Sequence, residues 1–204
     1  MRLRHIGMVA AAAILALAAF VSAEELPIGE TGPAFALVGT DGKTYSLADY
    51  EDKKGVAVIF TCNACPYAKA FEDRINKLAK EYQAKGVAFV AINPNDPDRV
   101  PEDGYDQMVK RAKEKRFVFP YVYDSTSEVA AAYGAKVTPH VFLLDGNFKL
   151  VYRGRVEDET DAKKSKSRDL KNALNALLAG KKITVAETKA FGCSIKWRKQ
   201  ASAN

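Results

Sequence analysis

The sequence predicts an α/β fold, with a central mixed sheet, helices on both faces and an amino-terminal β-hairpin. Three observations predict it. Two continuous apolar runs, Gly55-Val56-Ala57-Val58-Ile59-Phe60 and Val87-Ala88-Phe89-Val90-Ala91-Ile92, have the length and composition of strands buried on both faces. Between them Ala68, Phe71, Ile75, Leu78, Ala79 and Tyr82 recur at helical spacing, which predicts a helix over residues 64–84 closed by Gly86. Strand, helix and strand in that order make a βαβ unit, whose crossover is right-handed.

The other elements follow in order. Residues 33–38 read as a strand, Asp41-Gly42 as a hairpin turn, and residues 43–47 as the partner strand. Asn93-Pro94-Asn95-Asp96-Pro97 opens a loop that runs to Asp103. Residues 105–116 read as a helix with Met108, Val109 and Ala112 inward. Residues 117–123 are apolar but contain Pro120, which predicts a short or edge element. Residues 125–133 read as a helix capped by Ser125 or Thr126 and closed by Gly134. Asp145-Gly146-Asn147 separates residues 140–144 from residues 148–153, the clearest hairpin of the chain. Residues 157–166 are polar and read as a solvated, mobile loop. Residues 167–179 are amphipathic, with Leu170, Leu174, Leu177 and Leu178 inward. From about residue 181 the tail has no clear periodicity.

The amino terminus reads as a targeting segment. Arg2 and Arg4 precede an uncharged apolar run over residues 6–20, and Val21-Ser22-Ala23 offers small residues for cleavage. This is the layout of a secretory signal peptide over residues 1–23. The run is short for a membrane span, which needs about 20 apolar residues. Cleavage after Ala23 leaves residues 24–204, a length that suits one domain with a full core. The signal carries two arginines and no acids, so the formal charge falls by two, from +6 to +4. The lysines are scattered and build no basic helix face, so no nucleic acid partner is expected. A periplasmic or secreted location lets Cys62, Cys65 and Cys193 spend time oxidised. Three is an odd count, which leaves one thiol over if the first two pair.

The chemistry centres on Phe60-Thr61-Cys62-Asn63-Ala64-Cys65-Pro66-Tyr67. A C-x-x-C pair here sits between a buried strand and a helix. The thiolate is the reactive form of cysteine, and a helix amino terminus favours it through free N–H groups and partial positive charge. Cys62 lies just outside the predicted helix and Cys65 in its first turn. Cys62 is therefore assigned as the attacking nucleophile and Cys65 as the resolving thiol, with a mixed disulfide between the two steps. Zinc sites also use C-x-x-C, but the flanking strand and helix favour redox chemistry. A purely structural disulfide gains little here, because so short a loop removes little unfolded-state entropy.

These residues, with Val137-Thr138-Pro139-His140, Val151-Tyr152-Arg153-Gly154 and Gly192-Cys193-Ser194-Ile195-Lys196-Trp197, resemble the thioredoxin superfamily. The nearest likeness is to the peroxiredoxin-like redoxins of the alkyl hydroperoxide reductase/thiol-specific antioxidant group, over roughly residues 27–197. The resemblance implies a thioredoxin-like fold and a thiol-based redox role. It also implies a cis bond at Thr138-Pro139 opposite the cysteines, with Thr138 offering backbone hydrogen bonds to an extended substrate. Two departures stand out. The P-x-x-x-T/S-x-x-C motif of peroxiredoxins is absent: positions −7 and −3 from Cys62 are Gly55 and Ile59, and from Cys65 they are Val58 and Cys62. The strand over residues 55–60 also lacks the buried acid by which thioredoxins relay a proton.

Three further residues bear on the site. His140 is the one histidine of residues 24–204. It reads either as a strand residue satisfied by a backbone partner, or as an imidazole near the pair that steadies a thiolate or binds a metal. Cys193 reads either as a second resolving thiol that swings to Cys62 or Cys65, or as a buried small residue without chemistry. Tyr67 reads as a rim residue. Phe191 and Trp197 read as anchors of the tail.

The expected function is that of an exported thiol–disulfide oxidoreductase, acting on protein disulfides or small thiols without a cofactor. Export would suit a membrane-derived electron donor. One alternative is a thiol-dependent peroxidase. The other is a copper or zinc binding protein using Cys62, Cys65 and His140, since soft thiolates with one imidazole suit Cu(I) or zinc.

Overall fold

The structure is a computed structural model and describes residues 24–198. The expected signal peptide, residues 1–23, lies outside the described residues. Among the described residues no helix is long and apolar enough to cross a membrane.

The centre of the molecule is β3 (Gly55–Phe60), buried along its whole length. Its side chains alternate between two apolar layers, as a strand must. Ala57 and Ile59 point to the layer that holds Phe71, Ile75 and Ala79 of α1 (Pro66–Gln83) and Leu170 and Leu174 of α4 (Asp169–Leu178). Val56, Val58 and Phe60 point to the opposite layer, with Ala130 and Tyr133 of α3 (Glu128–Tyr133). Met108 of α2 (Tyr105–Lys115) joins the first layer. Helices therefore cover both faces.

Seven strands form the main sheet in the order β2-β1-β5-β4-β3-β7-β8. β4 (Val87–Asn93) runs parallel to β3 and to β5 (Tyr121–Tyr123). β7 (His140–Asp145) runs antiparallel to β3 and forms a hairpin with β8 (Leu150–Gly154). β1 (Ala36–Gly39) and β2 (Thr44–Ser46) form the amino-terminal hairpin. Gly42 turns that hairpin at φ +80°, a conformation that costs glycine nothing. A second, two-stranded sheet joins β6 (Val137–Thr138) to β9 (Cys193–Ser194).

Four expectations need amendment. β5 is short but not an edge, because it lies between β1 and β4. Pro120 is tolerated there because it precedes the strand and supplies only its carbonyl, to the Ala91 N–H at 2.9 Å. α1 begins at Pro66, with Cys65 as its N-cap rather than in its first turn. α3 starts later than expected, after Ser127, and the Asp124 carboxylate accepts from the Ala130 N–H at 2.9 Å. The loop over residues 157–166 is tied down. Glu157 pairs with Arg74 at 2.6 Å, and Asp158 Oδ1 accepts from the Lys166 and Ser167 N–H groups at 2.9 and 3.0 Å.

Phe142 is fully buried on β7 and stands edge-on to Phe60 and Tyr133 at 5.7 and 5.3 Å. Phe142→Ala is expected to cost about 3–5 kcal/mol of stability. Urea unfolding checks this as a lower midpoint at unchanged slope.

Candidate active site

The site is built where β3 ends and α1 begins. Pro66 at the first helical position fixes φ for the helix start and lacks an N–H that would be orphaned there anyway. Cys65 then sits at the N-cap, and its sulfur accepts from the Ala68 N–H at 3.5 Å. Opposite lies the Thr138–Pro139 bond, which is cis. Cys62 Sγ is 3.2 Å from Thr138 Oγ1, and the Cys65 thiol donates to the Thr138 carbonyl at 3.1 Å. Both cysteines are only 3% exposed.

The loop between them is held by a residue far along the chain. Asp103 is fully buried in a helical turn after β4. Its Oδ1 accepts from the Asn63 N–H at 2.6 Å and the Ala64 N–H at 3.0 Å. Its Oδ2 accepts from Asn95 Nδ2 at 2.7 Å, and its carbonyl accepts from Asn93 Nδ2 at 2.9 Å. Asn63 completes the network, donating to the Glu102 carbonyl at 2.7 Å and accepting from the Tyr121 hydroxyl at 3.0 Å. Sequence reasoning missed Asp103. The available signal was its place in the polar loop after a buried strand, where open α/β sheets put their ligands.

The carboxy-terminal tail closes the site. Cys193 is the register partner of Thr138 in the β6–β9 pair, so the tail lies along the edge that an extended substrate was expected to use. Gly192 permits this approach. It has φ +157°, and a Cβ there would stand 2.0 Å from the Thr138 carbonyl oxygen. Cys193 is partly buried and packs against Cys62, Cys65 and Ala68. Together with Ala64, Asn95, Asp103 and Lys196, the three cysteines line a pocket of about 140 Å³. Phe191 anchors the tail, edge-on to Tyr67 and Phe71 at 6.0 Å each. Trp197 does so less than expected, being 38% exposed. Tyr67, read from the sequence as a rim residue, is 41% exposed and packs on Phe191.

The thiols are electrostatically unequal. Contact with Cys65, then burial and the Asp103 charge, push the Cys62 thiol up. Contact with the Cys62 thiol holds Cys65 well below the ordinary thiol range, helped by the Cys193 thiol and the Ala68 N–H against its own burial. Burial and contact with Cys65 push Cys193 up to about 11. When the cluster loses a proton, its environment therefore favours the charge at Cys65.

His140 does not join the cysteines. Its Nδ1 accepts from the Lys136 N–H at 3.4 Å, and its ring packs against Phe142 at 4.5 Å. Strand alternation explains this, because His140 shares a face with Phe142 and Leu144. Among the described residues no three His, Cys, Asp or Glu side chains are grouped to hold a metal ion. The alternative of a copper or zinc site built from Cys62, Cys65 and His140 therefore fails on geometry.

The sequence model of a family described as Redoxin matches residues 27–174. The chain belongs to the Redoxin family. Among its relatives is the thiol-disulfide oxidoreductase ResA of Geobacillus thermodenitrificans (strain NG80-2). It is 31% identical over 131 residues, which are 64% of this chain and 71% of that one. A conserved protein of Geobacillus kaustophilus has a similar solved structure, with 39% identity and a TM-score of 0.81 over 86% of this chain and 94% of that one. A protein of Sinorhizobium meliloti 1021 gives 33% identity and a TM-score of 0.82 over 87% and 98%. This redoxin has a thioredoxin-like fold, and its family and relatives make it an oxidoreductase.

Asp103→Asn keeps an acceptor for the two loop amides but sets an amide nitrogen against Asn95 Nδ2. It is expected to cost about 1–3 kcal/mol of stability. By removing the charge that raises Cys62, it is also expected to lower the pH at which that thiol ionises, followed as thiolate absorbance. His140 gives a second expectation. Burial pulls its pKa from 6.5 down to about 4, so the unfolded chain binds the extra proton between those values. Stability is then complete above about pH 6.5 and is lost as pH falls toward 4, by roughly 3 kcal/mol. Urea unfolding across that range should show this loss in the native protein and lack it in His140→Gln.

Proposed function

We propose that the chain is an exported thiol–disulfide oxidoreductase that exchanges disulfides through Cys62 and Cys65. The observation that carries this reading is the pair itself: two sulfurs in contact at the amino end of α1, against the cis Thr138–Pro139 loop. The reaction starts from the pair that has lost one proton, with the charge on Cys65: Cys62 gives its proton to the Cys65 thiolate and, as the thiolate, attacks one sulfur of a substrate disulfide. A Cys62–substrate disulfide forms, and the other substrate sulfur leaves as a thiolate and is protonated. Cys65 then loses its proton to solvent, which its N-cap position favours. Its thiolate attacks Cys62 Sγ, the Cys62–Cys65 bond forms, and the substrate leaves as a second thiol.

Thr138 and Pro139 form the substrate wall and Tyr67 the rim. The substrates are protein disulfides or small thiols, and a membrane-derived donor would suit a protein outside the cytosol. The layout of residues 1–23 supports export, and the first residue of the secreted chain, expected to be Glu24, tests it by intact mass. Peroxide reduction is not favoured, because Gly55 and Ile59 stand where the peroxide-binding motif needs proline and threonine or serine.

Reduction of a model protein disulfide by the dithiol form tests the exchange. Cys62→Ser and Cys65→Ser are each expected to lower the rate at least ~100-fold, because each removes a bond-forming sulfur. Unchanged turnover in either variant overturns the assignment.

A further inference from the structure

Both exchanging cysteines are nearly closed off, yet a third thiol that the tail carries reaches the surface beside them. We infer that Cys193 is a third exchanging thiol, which takes the disulfide from Cys62–Cys65 as Cys65–Cys193 and presents it to an external dithiol. The inference rests on the exchange proposed above.

Four observations carry it. Cys193 packs on the Cys62–Cys65–Ala68 cluster and lines the same pocket as both cysteines. It is in strand register with Thr138, the residue whose hydroxyl and carbonyl hold Cys62 and Cys65. It therefore occupies the place of an incoming strand's cysteine at this edge. The tail is fastened on both sides of it. Phe191 packs on Tyr67 and Phe71, the Ile195 N–H donates to the Lys136 carbonyl at 3.1 Å, and the Asp96 N–H donates to the Lys196 carbonyl at 2.8 Å. Finally, Cys193 is partly exposed where Cys62 and Cys65 are 3% exposed, so an outside thiol meets it first.

The exchange balances within the molecule. The Cys193 thiol gives up its proton and its sulfur attacks Cys65 Sγ of the Cys62–Cys65 disulfide. The Cys65–Cys193 bond forms and the Cys62–Cys65 bond breaks. The electron pair leaves on Cys62, which takes the proton. Nothing is oxidised or reduced overall. One sulfur of an external dithiol, as its thiolate, then attacks Cys193 Sγ; a bond forms between them and Cys65 departs as a thiolate. The dithiol's second thiolate attacks its first sulfur, the external disulfide closes, and Cys193 leaves as a thiolate and is protonated. The surroundings of Cys65 suit its departure, since the Cys62 thiol and the Ala68 N–H favour its anion, and a thiol of low pKa leaves faster. Burial and the Cys65 contact both hold Cys193 protonated in the dithiol state, and the second of these is relieved once Cys65 is in a disulfide.

Disulfide mapping after acid quench and alkylation tests this. The purified protein and its Cys62→Ser variant are oxidised in a glutathione redox buffer. The native protein is expected to give both Cys62–Cys65 and Cys65–Cys193 peptides. Cys62→Ser is expected to give Cys65–Cys193 as its main disulfide. Cys193→Ser, once oxidised, is expected to be reduced by dithiothreitol at least ~10-fold more slowly than the native protein. If Cys62–Cys65 forms but Cys193 is fully alkylated in both mapped proteins, the Cys193 role falls and the exchange at Cys62 and Cys65 stands. An equal rate of reduction in Cys193→Ser overturns that role as well. If the native protein forms no Cys62–Cys65 disulfide, the function proposed above fails first.

Discussion

Two backbone amides set the terms for everything around the cysteines. The Asn63 and Ala64 N–H groups lie between the sulfurs, where a buried donor without a partner costs about 1–3 kcal/mol. One carboxylate oxygen of Asp103 takes both. That single acceptor holds the loop between Cys62 and Cys65, and its charge adds to the Cys65 contact and the burial that push the Cys62 thiol up. The remaining demands follow from it. Asn93 and Asn95 hold Asp103, and Asn95 Oδ1 in turn accepts from the Lys196 N–H at 2.8 Å, which brings the tail into the same network. Loop, acid and tail are one hydrogen-bonded unit.

The site is thus more closed than a two-cysteine scheme implies. The strand edge beside the cis proline carries a strand of the chain itself. A substrate that uses this edge competes with β9. The competition is graded, because β9 is only two residues long and has few ladder bonds to lose. Under the proposed function, specificity would then depend on how well an incoming segment replaces Cys193 and Ser194, as well as on the reactivity of the thiols.

The parts legible in the sequence are those written in local patterns. The buried runs of β3 and β4 and the helical spacing of Phe71, Ile75 and Tyr82 predict the βαβ unit correctly. The Cys62–Cys65 motif and the Thr138–Pro139 step, read through the family likeness, predict the two walls of the site. Other features depend on contacts between distant residues. Asp103 meets Asn63 at a separation of 40 residues, and no period marks that pairing. β9 has no pattern of its own and exists because Gly192 lets it approach Thr138. His140 is a different case. The sequence left it open between a strand residue with a backbone partner and an imidazole beside the cysteines, and its alternation with Phe142 and Leu144 on β7 decides for the first.

The fastening of the tail differs along its length. Near Cys193 it is held by apolar and backbone contacts through Phe191 and Ile195. Beyond Lys196 the hold is largely charged: Arg198 reaches Asp96 at 3.6 Å and stacks over the Tyr123 ring at 5.1 Å. Added salt weakens the charged hold and leaves the apolar one intact. Ionic strength therefore loosens the end of the strap while its cysteine stays seated, so the ionic strength of the medium sets how readily that end lifts without altering the thiols themselves.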